Sequence, residues 1–306
     1  MKIALGILLV VAGFVLLSLL TFWVAVRPPR LTVPLSPGDV GLAVEEMVVH
    51  TADGLALAGW LAVRPGAPAV VLLHGYPADK ADLLPLAAAL HDAFSVVLVD
   101  LRYFGRSQGR ATTLGYRERA DLRRVVDALH ARGVAPVGVF GFSLGGAVGL
   151  MTAAEDARIR AVVAYAAFAD LEALARELYG HFWLLREPLV RLMRLWSRLF
   201  LGADVTRPSP AEMAARLAIP VLLIHSRQDE QISFWHAERL RQGLAANPTA
   251  EFLFVDRGRH GELGPAVERH VLDFLRRSLG GTRETRRGDA SSGPATSPWR
   301  PPGAGR

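Results

Sequence analysis

Three side chains, Ser143, Asp229 and His260, follow one another in that order along a chain of 306 residues, each just after an apolar run of strand composition. Together they could carry out nucleophilic catalysis. A serine hydroxyl attacks poorly at neutral pH unless a neutral imidazole takes its proton, and the imidazole needs a carboxylate to fix its tautomer and stabilise its cation. Ser143 stands in Gly141-Phe142-Ser143-Leu144-Gly145, between the apolar run 137–140 and an Ala/Leu/Met-rich stretch of helical composition. A strand, a tight turn and a helix, with glycine on both sides of the serine, force the hydroxyl to an exposed tip. The plainer reading is a glycine-rich turn with a harmless serine, so the weight rests on its partners.

Asp229 lies in Ser226-Arg227-Gln228-Asp229-Glu230, after the apolar run 219–225. Glu230 is its rival, but Asp229 is nearer the strand end and better placed to reach an imidazole. There are nine histidines, so a single one means little. His260 stands out by position, in Gly258-Arg259-His260-Gly261 just after the last predicted strand. Acyl transfer also needs donors for the oxyanion that develops. The backbone N–H of Leu144, after the serine, is one. The other is expected from the loop His74-Gly75-Tyr76-Pro77; Pro77 has no N–H, which leaves Tyr76.

These groups need a frame. Segments 44–51 and 55–63 read as strands joined by a hairpin-type turn at Ala52-Asp53-Gly54, and 69–73, 95–100, 137–140, 159–166, 219–225 and 251–255 as further strands. Helices are expected at 79–91, 117–132 (Leu122, Val125, Val126 and Leu129 on one face), after Ser143, at 234–244, and to about residue 279. Strands alternating with helices imply an α/β fold with a mostly parallel sheet covered on both faces. Between about 168 and 217 the alternation breaks. Leu184, Leu185, Leu189, Leu192, Leu195, Trp196 and Leu199 recur at helical spacing there, with Arg191, Arg194 and Arg198 opposite, which reads as a small helical cap over the strand ends. Its basic face either sits in solvent or rests on lipid.

Composition excludes several classes. With 51% hydrophobic residues the chain can bury a large core. It has no cysteine, which removes disulfides, thiolate metal sites and cysteine nucleophiles. The net charge of +6 comes from the two ends: the body holds 27 basic and 27 acidic residues, so no nucleic-acid footprint remains. No His-Glu-x-x-His run or comparable ligand cluster is present, and neither a metal nor a cofactor is called for.

Residues 3–26 form an uncharged apolar run, about 36 Å long as a helix at 1.5 Å per residue, enough for a hydrocarbon core of roughly 30 Å. A cleaved signal peptide is the rival reading. The run exceeds a signal's usual core, and no small-x-small pair stands cleanly before Arg27, so an uncleaved single-pass anchor is expected. Lys2 on one side and Arg27 and Arg30 on the other leave the positive-inside rule near a tie, so it does not read the orientation; the domain is expected on the extracytoplasmic side. Residues 27–43 read as a stiff proline-rich linker, and 280–306, rich in Gly, Pro, Ser, Thr and Arg, as a disordered tail. A chain starting near Thr32 is expected to be soluble and active.

Residues from about 44 to 279 resemble the α/β-hydrolase superfamily, in particular the membrane-anchored or secreted serine hydrolases related to the mammalian α/β-hydrolase-domain proteins. The resemblance rests on Leu73-His74-Gly75, Asp100-Leu101-Arg102 with Gly105-Arg106-Ser107, Gly141 to Gly146, Ser209-Pro210, the run Ile219 to His225 with Asp229, and Gly258-Arg259-His260. It implies that fold and a Ser143–His260–Asp229 triad acting on an ester or thioester. An amidase, peptidase or acyltransferase would use the same triad, and a non-catalytic binding protein of this fold would usually lack the nucleophile or the histidine. Haloalkane dehalogenases and epoxide hydrolases share the fold but carry a carboxylate where Ser143 stands. Tyr103 and Ser226 replace the family's usual glycines, and Arg259 is larger than the residue usual beside the histidine.

Overall fold

The continuous apolar runs become the middle of one sheet. In the computed structural model, which describes residues 1–280, eight strands form it: β1 (Glu45–His50), β2 (Ala56–Ala62), β3 (Ala69–Leu73), β4 (Ser95–Val99), β5 (Val137–Phe142), β6 (Ile159–Tyr165), β7 (Val221–Ser226) and β8 (Ala250–Val255). Their order is β1-β2-β4-β3-β5-β6-β7-β8. β2 is antiparallel to both its neighbours, and every other pair is parallel. β3, β4 and β7 are buried along their whole length, the pattern of strands covered on both faces.

The helices are α1 (Lys2–Val26), α2 (Leu84–His91), α3 (Glu118–Ala131), α4 (Leu144–Ala153), α5 (Leu171–Leu178), α6 (Arg186–Trp196), α7 (Pro210–Ala214), α8 (Phe234–Gly243) and α9 (Pro265–Gly280). One core joins α3, α4 and α8 to one side of the sheet, and Leu122, Val125, Val126 and Leu129 face it as their spacing predicts. A second core joins α2 and α9 to the other side through Leu84, Leu90, Phe274 and Leu275. This is the α/β-hydrolase layout, a mostly parallel sheet flanked by helices. The expected tail from 281 onward lies outside the described residues.

The turn from β5 into α4 shows why its glycines are glycines. A Cβ at Gly145 would overlap the carbonyl of Leu73, and one at Gly141 would overlap the backbone of Gly145. The helix thus approaches the neighbouring strand more closely than any side chain permits. Gly145→Ala is expected to lose about 1–3 kcal/mol through overpacking against backbone that cannot move aside, read as a lower denaturant midpoint at unchanged slope.

Two expectations need correcting. The leucine stripe of 184–199 is not one packing face: Leu189, Val190 and Met193 are buried, whereas Leu184, Leu195 and Leu199 are exposed. The reason is the packing partner, because α6 rests on the end of α1, where Phe22 and Val26 are buried against Ala175, Val190 and Met193. Nor is Arg194 on a free polar face. It pairs with Glu172 at 3.3 Å and with Asp204 at 3.0 Å, and Arg198 reaches the same Asp204 at 2.6 Å.

The stretch 27–43, expected as a stiff proline-rich linker, lies on the body. The Tyr103 hydroxyl donates to the Pro28 carbonyl at 2.6 Å, the Thr112 amide to the Val26 carbonyl at 3.0 Å, and Leu42 is buried. Tyr103 adopts φ +76°, the left-handed conformation that the family's glycine would take freely, and its ring holds this segment and stacks under Arg30.

Candidate active site

Each sequence-assigned side chain sits past the carboxyl end of a strand: Tyr76 after β3, Ser143 after β5, Asp229 after β7 and His260 after β8. Ligands of open parallel sheets bind at this edge. Ser143 is the N-cap of α4 and has φ +52°, ψ −113°, a conformation rare for a side chain with a Cβ. Its amide donates to the Tyr165 carbonyl at 2.8 Å, and its carbonyl accepts the Ala147 amide at 3.1 Å. The strained turn is thus held from both flanks.

His260 Nδ1 lies 2.7 Å from Asp229 Oδ2. With the carboxylate ionised, Nδ1 carries the proton and donates it, which leaves Nε2 free to accept one. The His260 ring rests on the Phe142 ring, with centroids 4.8 Å apart, and Phe142 is the residue before Ser143. Gly261 brings the loop this close, since a Cβ there would meet the same ring at 2.9 Å. Among the described residues no hydrogen bond joins Ser143 Oγ to His260. Bonds of this kind are often long before substrate binds and tighten as reaction proceeds.

Burial pushes the Asp229 carboxyl up, but the His260 hydrogen bond and the amides of Ile232 and Gln231, at 2.8 and 2.9 Å, outweigh it and hold the group below its ordinary value. Asp229 is therefore ionised throughout the neutral range. The stability it contributes is complete above its unfolded pKa and is lost as pH falls through the lower folded one. Glu230 takes a different part: its carboxylate accepts the His260 amide at 3.2 Å and leaves the ring to Asp229. Burial, and next the Asp229 charge, push the Tyr165 phenol up to about 12, so it stays protonated beside the site.

Of the proposed oxyanion donors, Leu144 is the first residue of α4, where N–H groups have no helical acceptor. Among the described residues neither the Tyr76 nor the Leu144 amide donates to a protein acceptor. Both residues line the cavity that contains Ser143, of about 380 Å³. Its other walls are mostly apolar, with Phe168 after β6, Leu171 and Leu174 of α5, Met193 of α6 and Ala25 of α1, while Glu230 and Gln231 add a polar side.

The remaining motif residues hold the frame. Burial keeps the His74 imidazole neutral; Nδ1–H donates to the Gly75 carbonyl at 2.8 Å while Nε2 accepts the Leu101 amide at 3.0 Å. Asp100, fully buried, receives the Lys80 ammonium at 2.6 Å and the amides of Lys80 and Arg106. Gly105 is required beside it, because a Cβ there would overlap the carboxylate. Arg259 is exposed, with its guanidinium 3.6 Å from Glu230. No group of three or more metal-ligating side chains converges among the described residues.

The sequence did not reveal His225 or Ala25 as neighbours of the site. His225 donates from Nε2 to the Ile232 carbonyl at 2.9 Å, with that nitrogen 3.7 Å from Asp229, and burial holds it neutral. It braces the loop that carries Asp229, and its position four residues earlier was the available signal. For Ala25 there was none, since only tertiary packing brings α1 to the pocket.

Residues 68–187 match the family model for the alpha/beta hydrolase fold. The uncharacterized protein YfhR of Escherichia coli O157:H7 is 30% identical over 253 residues, which span 76% of this chain and 81% of YfhR. The thiohydrolase aneE of Aspergillus aculeatus is 33% identical over a shorter stretch of 126 residues, 39% of this chain and 40% of its own. Among solved structures, the esterase Pf2001 of Pyrococcus furiosus superposes with a TM-score of 0.69 at 25% identity, over 84% of this chain and 99% of that one. Identity at that level, sustained along most of a relative and set on this strand order, reaches beyond shared architecture: the chain belongs to the α/β-hydrolase superfamily.

Proposed function

We propose that the protein is a serine hydrolase that cleaves an ester or thioester through an acyl-enzyme on Ser143. The observation that carries this reading is the 2.7 Å Asp229–His260 hydrogen bond, seated through Phe142 on the elbow that presents the serine. His260 Nε2 takes the Ser143 proton as Oγ bonds to the substrate carbonyl carbon. The resulting oxyanion receives the Tyr76 and Leu144 amides, and His260 then gives its proton to the departing alcohol or thiol as that bond breaks. Water repeats the sequence: it loses a proton to His260, adds to the acyl carbon, and releases the acid and free Ser143. Asp229 stays ionised and holds the imidazole's tautomer. The apolar walls at Phe168, Leu171, Leu174 and Met193 favour an acyl chain or another apolar acid group. Esterase Pf2001 and thiohydrolase aneE lend support to the two leaving groups by their names. Residues 1–26 act as a membrane anchor in this reading, 27–43 as the connection, and 44–279 as the hydrolase domain with its cap at about 168–217.

A fluorophosphonate probe tests the nucleophile: mass spectrometry should find the adduct on the peptide containing Ser143, and an adduct elsewhere would refute the assignment. A panel of p-nitrophenyl esters of rising chain length, with a thioester and p-nitroanilides, tests the substrate class. Rates should rise to medium or longer chains. A peak at acetate would rule out a roomy acyl pocket, and anilides turned over faster than esters would move the protein to the amidases.

A further inference from the structure

The end of α1 is built into the cap and the pocket. Its first buried side chain is Ser18, whose hydroxyl accepts the Trp196 indole N–H at 3.1 Å. The Tyr179 hydroxyl reaches Thr21 at 3.3 Å, Phe200 packs on Phe22 and Trp23, and Ala25 lines the cavity at Ser143. At most residues 2–17 stand clear of the domain, about 24 Å at 1.5 Å per residue, where a hydrocarbon core needs roughly 30 Å. The shortfall of about 6 Å matches the depth of about 5–10 Å to which an interfacial apolar surface sinks. The cap offers such a surface beside α1. Trp183 is 75% exposed, Leu184 69% and Leu199 62%, with Phe182 and Leu195 also exposed, and Arg191 and Arg198 stand among them. Aromatic rings with arginines are the composition that settles at the headgroup level.

We propose that the Phe182–Trp183–Leu184 turn and the outer side of α6 with Leu199 are immersed in the lipid leaflet through which α1 passes, so that the pocket at Ser143 takes its acyl substrate from that leaflet. The occupant is a phospholipid surface. Continuity with α1 and the length that α1 lacks both require it, and neither would be met by a second protein chain. The substrate part rests on the hydrolase reading above, and the immersion only on the reading of residues 1–26 as a membrane anchor.

The chain has no cysteine, so Trp183→Cys and Arg132→Cys each create a single labelling site. Arg132 follows α3 at the opposite end of the sheet, before β5. The full-length variants, carrying an environment-sensitive fluorophore, are reconstituted in phosphatidylcholine–phosphatidylglycerol vesicles. At 183, doxyl-labelled lipid should quench at least three-fold more than at 132, and iodide correspondingly less. Equal iodide access at both sites overturns the immersion, as does shielding at 183 without doxyl quenching, which would mean a protein occupant. In a second arm, Phe182→Ser/Trp183→Ser should lower turnover of a long-chain ester in vesicles at least five-fold and leave that of a soluble short-chain ester unchanged. An equal effect on both overturns the feeding route. A wild type without activity on any ester overturns the hydrolase reading and with it the feeding route, while the quenching still decides the immersion.

Discussion

Ser143→Ala is expected to lower kcat on the order of a million-fold, close to the loss seen when any central member of such a catalytic unit is removed. The residue of activity would come from binding and the Tyr76 and Leu144 amides. Two features make the test discriminating. The serine has a strained backbone that alanine tolerates equally, so the fold should be retained and the denaturant midpoint should hardly change. His260→Ala in the Ser143→Ala background should add little, because an imidazole with no hydroxyl to deprotonate has lost its task. Measured rates of the single and double variants on a fast p-nitrophenyl ester decide it; multiplicative losses, or a small loss in Ser143→Ala, would remove Ser143 from the chemistry.

The second large effect separates two adjacent carboxylates. Asp229→Asn should reduce kcat by about 10⁴, since the amide can donate to His260 Nδ1, impose the wrong tautomer and leave the imidazolium unsupported. Glu230→Gln should cost far less, because it touches the His260 main chain and not the ring. The reverse ranking would hand the role to Glu230. Acid unfolding supplies an independent readout: Asp229 is held below its ordinary pKa in the folded protein, so its replacement should remove stability above the unfolded value and make little difference once pH has fallen below the folded one.

The elements around the site could be read because their physics is local. Gly141 and Gly145 announced a close approach between strand and helix, and the Cβ positions they lack would lie inside the backbone of Gly145 and Leu73. Alternating apolar runs and amphipathic segments gave the β3-to-β8 succession to within a residue or two, since a strand covered on both faces must be apolar throughout. The preference for Asp229 over Glu230 came from distance along the chain to the strand end, and Asp229 is the one that reaches the imidazole.

The cap resisted the same treatment. A 3.6-residue period finds an apolar stripe but does not say what covers it; here α1 takes Val190 and Met193 into one seam, and Leu195 and Leu199 stay outside. For the same reason a chain cut near Thr32 looked self-sufficient. Its removal of Phe22, Ala25 and Val26 would uncover Ala175 and Met193 and take one wall from the pocket. Tyr103, read as a departure at a turn, proved to be the clasp on Pro28. By itself the sequence determined the sheet, the elbow and the order of the three polar groups, because these depend on backbone sterics and burial within short windows. Only the tertiary structure decided that the apolar N-terminal helix is part of the pocket, because that contact joins residues 158 and 178 positions apart through packing that neither segment's own pattern encodes.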